Sequence, residues 1–127
     1  MRLFPAIAVA AILSLLGTTV FAADLTNGRR LYLDPTLGGG TSGKCCFTCH
    51  EQGRDLGPDL DQRTSFKVME IAMEGLAEVI NFCIEVALRG GGLDPQGKEM
   101  ADLAAYLTWL GKEQRDPALP AAFTCQP

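Results

Sequence analysis

The apolar positions of this chain fall into stretches of different spacing, separated by polar and glycine-rich segments. The first is continuous: Leu3 to about Leu16 is apolar without period, and Val20-Phe21-Ala22-Ala23 follows. From Leu25 to Leu33 the pattern predicts a short helix that stops at Asp34-Pro35, because a residue before proline is pushed out of the helical region. Gly28 and Tyr32 lie four apart on it and share one face. Residues 34–44 (DPTLGGGTSGK) read as a loop, and residues 53–64 (GRDLGPDLDQRT) as a polar, turn-rich segment bent at Gly57-Pro58. The longest periodic run comes next. Phe66, Met69, Met73, Leu76, Ile80, Cys83 and Ala87 recur in alternating steps of three and four, predicting helix over 66–88 with a division near Gly75. Gly90-Gly91-Gly92 ends that run. Asp94-Pro95 offers an N-cap and first-turn proline for a last helix. Its apolar face is Met100, Leu103, Ala104, Leu107 and Leu110, and Gly111 closes it. The pattern contains no internal repeat and no convincing strand, so the predicted fold class is all-α.

Composition adds boundaries to this picture. A basic Arg2, an apolar middle and a small-residue end make residues 1–22 an export signal, with cleavage after Ala22 placing Val20 and Ala22 at the selective positions. The run is short for a bilayer span and holds Pro5. The expectation is a soluble periplasmic protein with no membrane span after cleavage. About 105 residues then remain, enough for one domain over 23–115. Residues 116–127, with three prolines and Cys125, are expected to be extended or disordered. Loss of Arg2 leaves ten basic residues against 15 acidic, a net charge of −5. Nucleic acid and anionic lipid are poor partners for such a surface. A domain this small buries limited apolar area alone and gains from a staple or a cofactor.

Candidate chemistry is concentrated in Cys46-Phe47-Thr48-Cys49-His50. Two cysteines two residues apart, followed at once by histidine, form the attachment signature of a c-type haem. Two thiols at this spacing reach the two vinyl groups of one porphyrin, and the next imidazole falls under the iron. A bare C-x-x-C is ambiguous between zinc, redox disulfide and haem; the adjoining histidine and the export signal decide for haem. His50 is the only histidine of the chain. No βαβ pattern surrounds the motif as a thioredoxin-like site requires. A proximal histidine gives its outer N–H to a fixed acceptor, and the Pro58 carbonyl is the candidate. The competing reading of Pro58 is an ordinary loop proline.

With these residues in place the chain resembles a small class I-type cytochrome c over nearly all its mature length. The matches are Gly28-x-x-x-Tyr32, Cys46-x-x-Cys49-His50, Gly57-Pro58 and Ala101-Asp102-Leu103-Ala104-Ala105-Tyr106-Leu107. The resemblance implies a cytochrome c-like fold, three to four helices around one covalent haem c. It also implies that Gly28 and Tyr32 meet Leu103 and Tyr106 where the first and last helices cross. The sixth ligand departs from the pattern, since residues 89–97 hold no methionine. Met69, Met73, Met100, Cys83, a lysine or an open position remain. The stretch Ile80-Asn81-Phe82-Cys83, continued through Leu93-Asp94 and Glu99-Met100, is similar to a motif in cytochromes of thiosulfate oxidation. There the cysteine of an I-N-x-C segment ligates the iron, so the resemblance makes Cys83 the leading sixth ligand and Met100 the alternative. Read as residues alone, Cys83 and Met100 also suit the apolar faces of their helices.

Haem attachment leaves Cys45, Cys83 and Cys125, an odd number in a compartment that permits disulfides. A Cys45–Cys125 bond would free Cys83 for iron. Pairing of Cys125 with another protein, or a Cys45 that merely adjoins the attachment site, are the other readings. The function expected is single-electron transport by a monohaem carrier, not an enzyme, between redox proteins, with a partner that carries a basic docking patch. The alternative is a subunit or enzyme of sulfur-compound oxidation, and a third reading is a haem sensor of small gases.

Overall fold

The structure is a computed structural model and describes residues 22–126. The export signal read at residues 1–22 therefore lies, except for Ala22, outside the described residues. Four α-helices, a hairpin and short turns follow in order: α1 (Leu25–Tyr32), α2 (Cys46–Cys49), β1 (Ser65–Val68), β2 (Ile71–Glu74), α3 (Leu76–Cys83) and α4 (Lys98–Glu113). A π-helical turn, Ile84–Leu88, continues α3. Among the described residues no helix is long and apolar enough to cross a membrane.

The frame is the crossing of α1 and α4, which joins the first and last helices of the described residues. Asp24 caps α1 by accepting the Thr26 and Asn27 N–H groups. The helices meet at Gly28, where an added Cβ would fall on the Asp102 carbonyl and within 2.5 Å of the Tyr106 Cβ. Glycine removes the side chain that would hold the two backbones apart. Tyr32 and Tyr106 then pack edge to face, 5.4 Å between centroids, both fully buried. Two buried carboxylates lock the crossing. Asp102 accepts the Asp24 N–H (2.9 Å), the Asn27 amide (2.7 Å) and the Lys98 ammonium (2.8 Å). Asp116 accepts from Arg29 Nε (2.6 Å) and the Tyr106 hydroxyl (2.8 Å).

For each carboxyl, burial raises the pKa, but the hydrogen bonds and cations outweigh it and leave it below the ordinary value. A depressed folded pKa means stability that is complete above the unfolded value, about 3.9 for aspartate. That stability is lost as pH falls through the folded value. We expect the denaturation midpoint to drop as pH falls below about 4, and Asp116→Asn to reduce that acid dependence at a cost of roughly 1–3 kcal/mol at neutral pH. Urea titrations at several pH values check this; equal slopes for both proteins would count against it.

The structure corrects three expectations of where helices run. Residues 65–74 form an antiparallel hairpin, with Phe66 opposite Met73 and Val68 opposite Ile71, where helix was expected from residue 66. The spacing of Phe66, Val68, Ile71 and Met73 also fits a period of two, and the tight turn at Met69-Glu70 (φ 50° and 67°) decides for strands. Helix α4 begins at Lys98, because Asp94-Pro95 forms a separate turn: Asp94 accepts the Gln96 and Gly97 N–H groups. Gly111 lies inside α4 rather than ending it. An added Cβ there would meet the Gly57 carbonyl at 2.5 Å, so the glycine allows a loop to press on the helix. The tail has no helix or strand, yet it packs on the domain: Asp116, Leu119 and Cys125 are buried, and Phe123 meets Phe47 edge to face at 5.8 Å.

Cys125 is bonded to Cys45, Cα to Cα 5.8 Å, across 80 residues. Closing a loop of that length restricts the unfolded chain by about 4–5 kcal/mol in the loop-entropy account. The tail is thereby fixed beside α2.

Candidate cofactor site

Between α2, the hairpin, α3 and α4 lies a cavity of about 260 Å³. Cys46 and Cys49 line it from α2, His50 from the residue that follows α2, and Cys83 from α3. The remaining wall is chiefly apolar, with Leu56, Leu60, Phe66, Ile80, Ile84 and Leu107. These residues come from segments far apart in sequence, so the cavity is a product of the fold. Cys46 and Cys49 share a face because α2 is one helical turn long.

His50 is positioned through its backbone and its ring. The Tyr32 hydroxyl donates to the His50 carbonyl, tying the motif to the α1–α4 crossing. His50 Nδ1 lies 2.9 Å from the Arg54 carbonyl. With Nδ1 as donor, a neutral imidazole keeps its free lone pair at Nε2, the nitrogen available to a metal. Arg54 thus holds the place expected of Pro58, and Pro58 does not line the cavity. The physical reason is a tighter turn than the sequence suggested: Gln52 and Asp55 have φ of 51° and 64°, and Gly53 has 81°. That turn returns the carbonyl four residues on. Left-handed conformations at non-glycine residues are costly, and here they flank the ligand candidate. The Asp116 N–H donates to Gln52 Oε1 (3.0 Å), and Gly53 packs on Leu110, so the turn is held from the tail and from α4.

Cys83 sits where α3 passes into the π-helical turn. Such insertions occur often at functional sites. Asn81, two residues earlier, holds the following loop by both of its amide atoms: it donates to the Leu93 carbonyl (2.9 Å) and accepts the Leu93 N–H (2.8 Å). Burial pushes the Cys46 thiol up to about 12, and the neighbouring Cys83 and Cys49 push it the same way. Cys83 is likewise raised, first by burial and then by Cys49. Both thiols line the one cavity, and the upward shifts favour their neutral forms. A thiolate at Cys83 would need a cation beside it, as a metal ion would provide.

The other candidate donors lie elsewhere or differ in kind. Met100 is buried in the core but does not line the cavity, Met73 is packed against Phe66, and Met69 is 72% exposed on the hairpin tip. Lys44 and Lys67 reach the cavity wall with Arg63, against one acid, Asp55. Among the described residues no three histidine, cysteine or carboxylate side chains converge as a bare metal site. A planar apolar group carrying its own four equatorial donors suits the residues present: thiols for attachment, an imidazole with a free nitrogen, and an apolar wall.

The lining residues Leu56, Leu60, Val79, Ile84 and Leu107 were not foreseen as site residues, and neither were Lys44, Arg63 and Lys67. Nothing in local spacing marks them; tertiary packing alone brings them together. No protein-family model, curated protein or solved structure matches this chain.

Proposed function

We propose that this protein is an exported, periplasmic monohaem c-type cytochrome with a cytochrome c-like fold, which carries single electrons between redox partner proteins. One observation carries the reading: the side chains of Cys46, Cys49, His50 and Cys83 line a single apolar cavity. Cys46 and Cys49 would hold the haem as thioethers, and His50 Nε2 and Cys83 would be the donors offered to its iron. A haem bound there would supply one-electron chemistry. The chain's own residues do the rest. The Arg54 carbonyl fixes the imidazole ring, the Tyr32 hydroxyl fixes the backbone under it, and the Asn81–Leu93 clamp steadies the segment bearing Cys83. Donors held this firmly move little when the metal changes charge. Leu56, Leu60, Phe66, Ile80, Ile84 and Leu107 exclude water, and Lys44, Arg63 and Lys67 match the haem propionates in sign. With those cations engaged, the excess of acidic residues elsewhere suits a partner with a basic docking patch.

Stopped-flow mixing with small and protein reductants tests the carrier role. Reduction and reoxidation without consumption of a sulfur substrate is the expected result. The second reading, a subunit or enzyme of thiosulfate oxidation, is favoured by the presence of Cys83 in the cavity together with its I-N-x-C resemblance. Turnover of thiosulfate by the isolated protein would replace the carrier reading with this one.

A further inference from the structure

We propose that the Cys45–Cys125 disulfide sorts the thiols of this chain before cofactor attachment, by withdrawing Cys45 from competition with Cys46 and Cys49. The inference rests on the haem reading above. Cys45 adjoins Cys46 in sequence and itself borders the cavity that Cys46, Cys49 and Cys83 line. As a free thiol it would be a third nucleophile beside two intended ones. It could take a vinyl group in place of Cys46, or close a disulfide onto Cys49 or Cys83.

The structure holds a device that selects its partner without relying on the bond. The tail is brought to α2 by contacts of its own: Asp116 with Arg29 and Tyr106, buried Leu119, and Phe123 against Phe47. The Thr48 hydroxyl stands between the two sulfur-bearing residues, accepting the Cys45 N–H (3.1 Å) and donating to Cys125 Sγ (3.4 Å). Cys125 is thereby delivered to Cys45, while Cys46, Cys49 and Cys83 face the cavity instead.

The sequence of reactions follows. The Cys45 and Cys125 thiols give up two protons and two electrons to a disulfide-bearing protein oxidant, which becomes a dithiol as the S–S bond forms. Cys46 and Cys49 stay reduced. Each S–H then adds across a vinyl C=C, sulfur to the carbon nearer the ring and hydrogen to the terminal carbon, with no electron exchanged with a third party. Oxidation of the outer pair thus precedes attachment at the inner pair.

The test exports the full chain from a host that matures c-type cytochromes, as wild type, Cys125→Ser and Cys45→Ser/Cys125→Ser. Free thiols are alkylated at harvest, and peptide mass mapping assigns every cysteine. Wild type should carry the haem at Cys46 and Cys49 only, with Cys45 linked to Cys125. Cys125→Ser should lose that uniformity, with Cys45 found in thioethers or in disulfides to Cys46, Cys49 or Cys83. The double variant should regain uniform attachment, although it lacks the strap as completely as the single one. A merely structural disulfide predicts equal behaviour of the two variants, and that result overturns sorting. So does a Cys125→Ser protein as uniform as wild type. A wild-type chain without any haem would instead overturn the functional reading, and sorting with it.

Discussion

Replacing Cys83 with alanine should remove the low-spin thiolate character from the EPR spectrum of the ferric protein and raise its reduction potential by on the order of 0.1 V or more. A thiolate donates negative charge to the iron and favours the ferric state, whereas a thioether or an open position does not. Cys83 lines the cavity with His50, while Met100 and Met73 are buried away from it and Met69 is exposed. The fold should tolerate the change, because Cys83 is only half-buried and loses a single sulfur. A Met100→Leu variant should leave spectrum and potential where they are. If instead Cys83→Ala changes neither quantity, Cys83 is a small core residue and the second donor lies elsewhere, with Lys44 and Lys67 the next residues to replace.

The second large effect is expected at Gly28. Gly28→Val should cost roughly 3 kcal/mol or more, near the upper end for overpacked sites. For a domain of this size that is a fall in Tm of roughly 10–20 °C. The obstacles are the Asp102 carbonyl, a backbone group, and the Tyr106 Cβ, neither of which a rotamer change can move. Separating the helices would also stretch the Asp102 hydrogen bonds to Asp24 and Asn27 and shift Tyr32, whose hydroxyl holds the His50 carbonyl. Gly28→Ala should shift Tm in the same direction by less. Thermal melts of the two variants check this; a valine variant that melts within about 2 °C of wild type would show that the crossing is loose.

Legibility of the sequence followed the range of the physics involved. The C-x-x-C-H motif is readable because attachment chemistry fixes both spacing and residue type, and the positions it names do share a cavity. The Gly28–Tyr106 approach was foreseen through resemblance, and the reason for it, two backbones in contact, became visible only with the partner helix present. The hairpin was missed since Phe66 and Met73 satisfy helical and strand periods alike, and Met69-Glu70 lacks the Asn-Gly signal of a tight turn. Asp94-Pro95 has the composition of a helix start, but the Asp94 side chain and carbonyl are spent on a turn one step earlier. The acceptor for His50 was misplaced to Pro58 because the left-handed backbone at Gln52 and Gly53 is held by tertiary contacts to Asp116 and Leu110. The cavity wall was illegible for a related reason. Leu56, Val79 and Leu107 look like any core leucine or valine until the chain is folded.

Whether a haem is covalently fastened at Cys46 and Cys49 is decided most directly by intact mass and absorption of the exported, matured polypeptide. A mass above that of the amino acids by one haem, with a Soret band that survives acid-acetone extraction, is the predicted result. A polypeptide that weighs only its amino acids and shows no Soret band would contradict it.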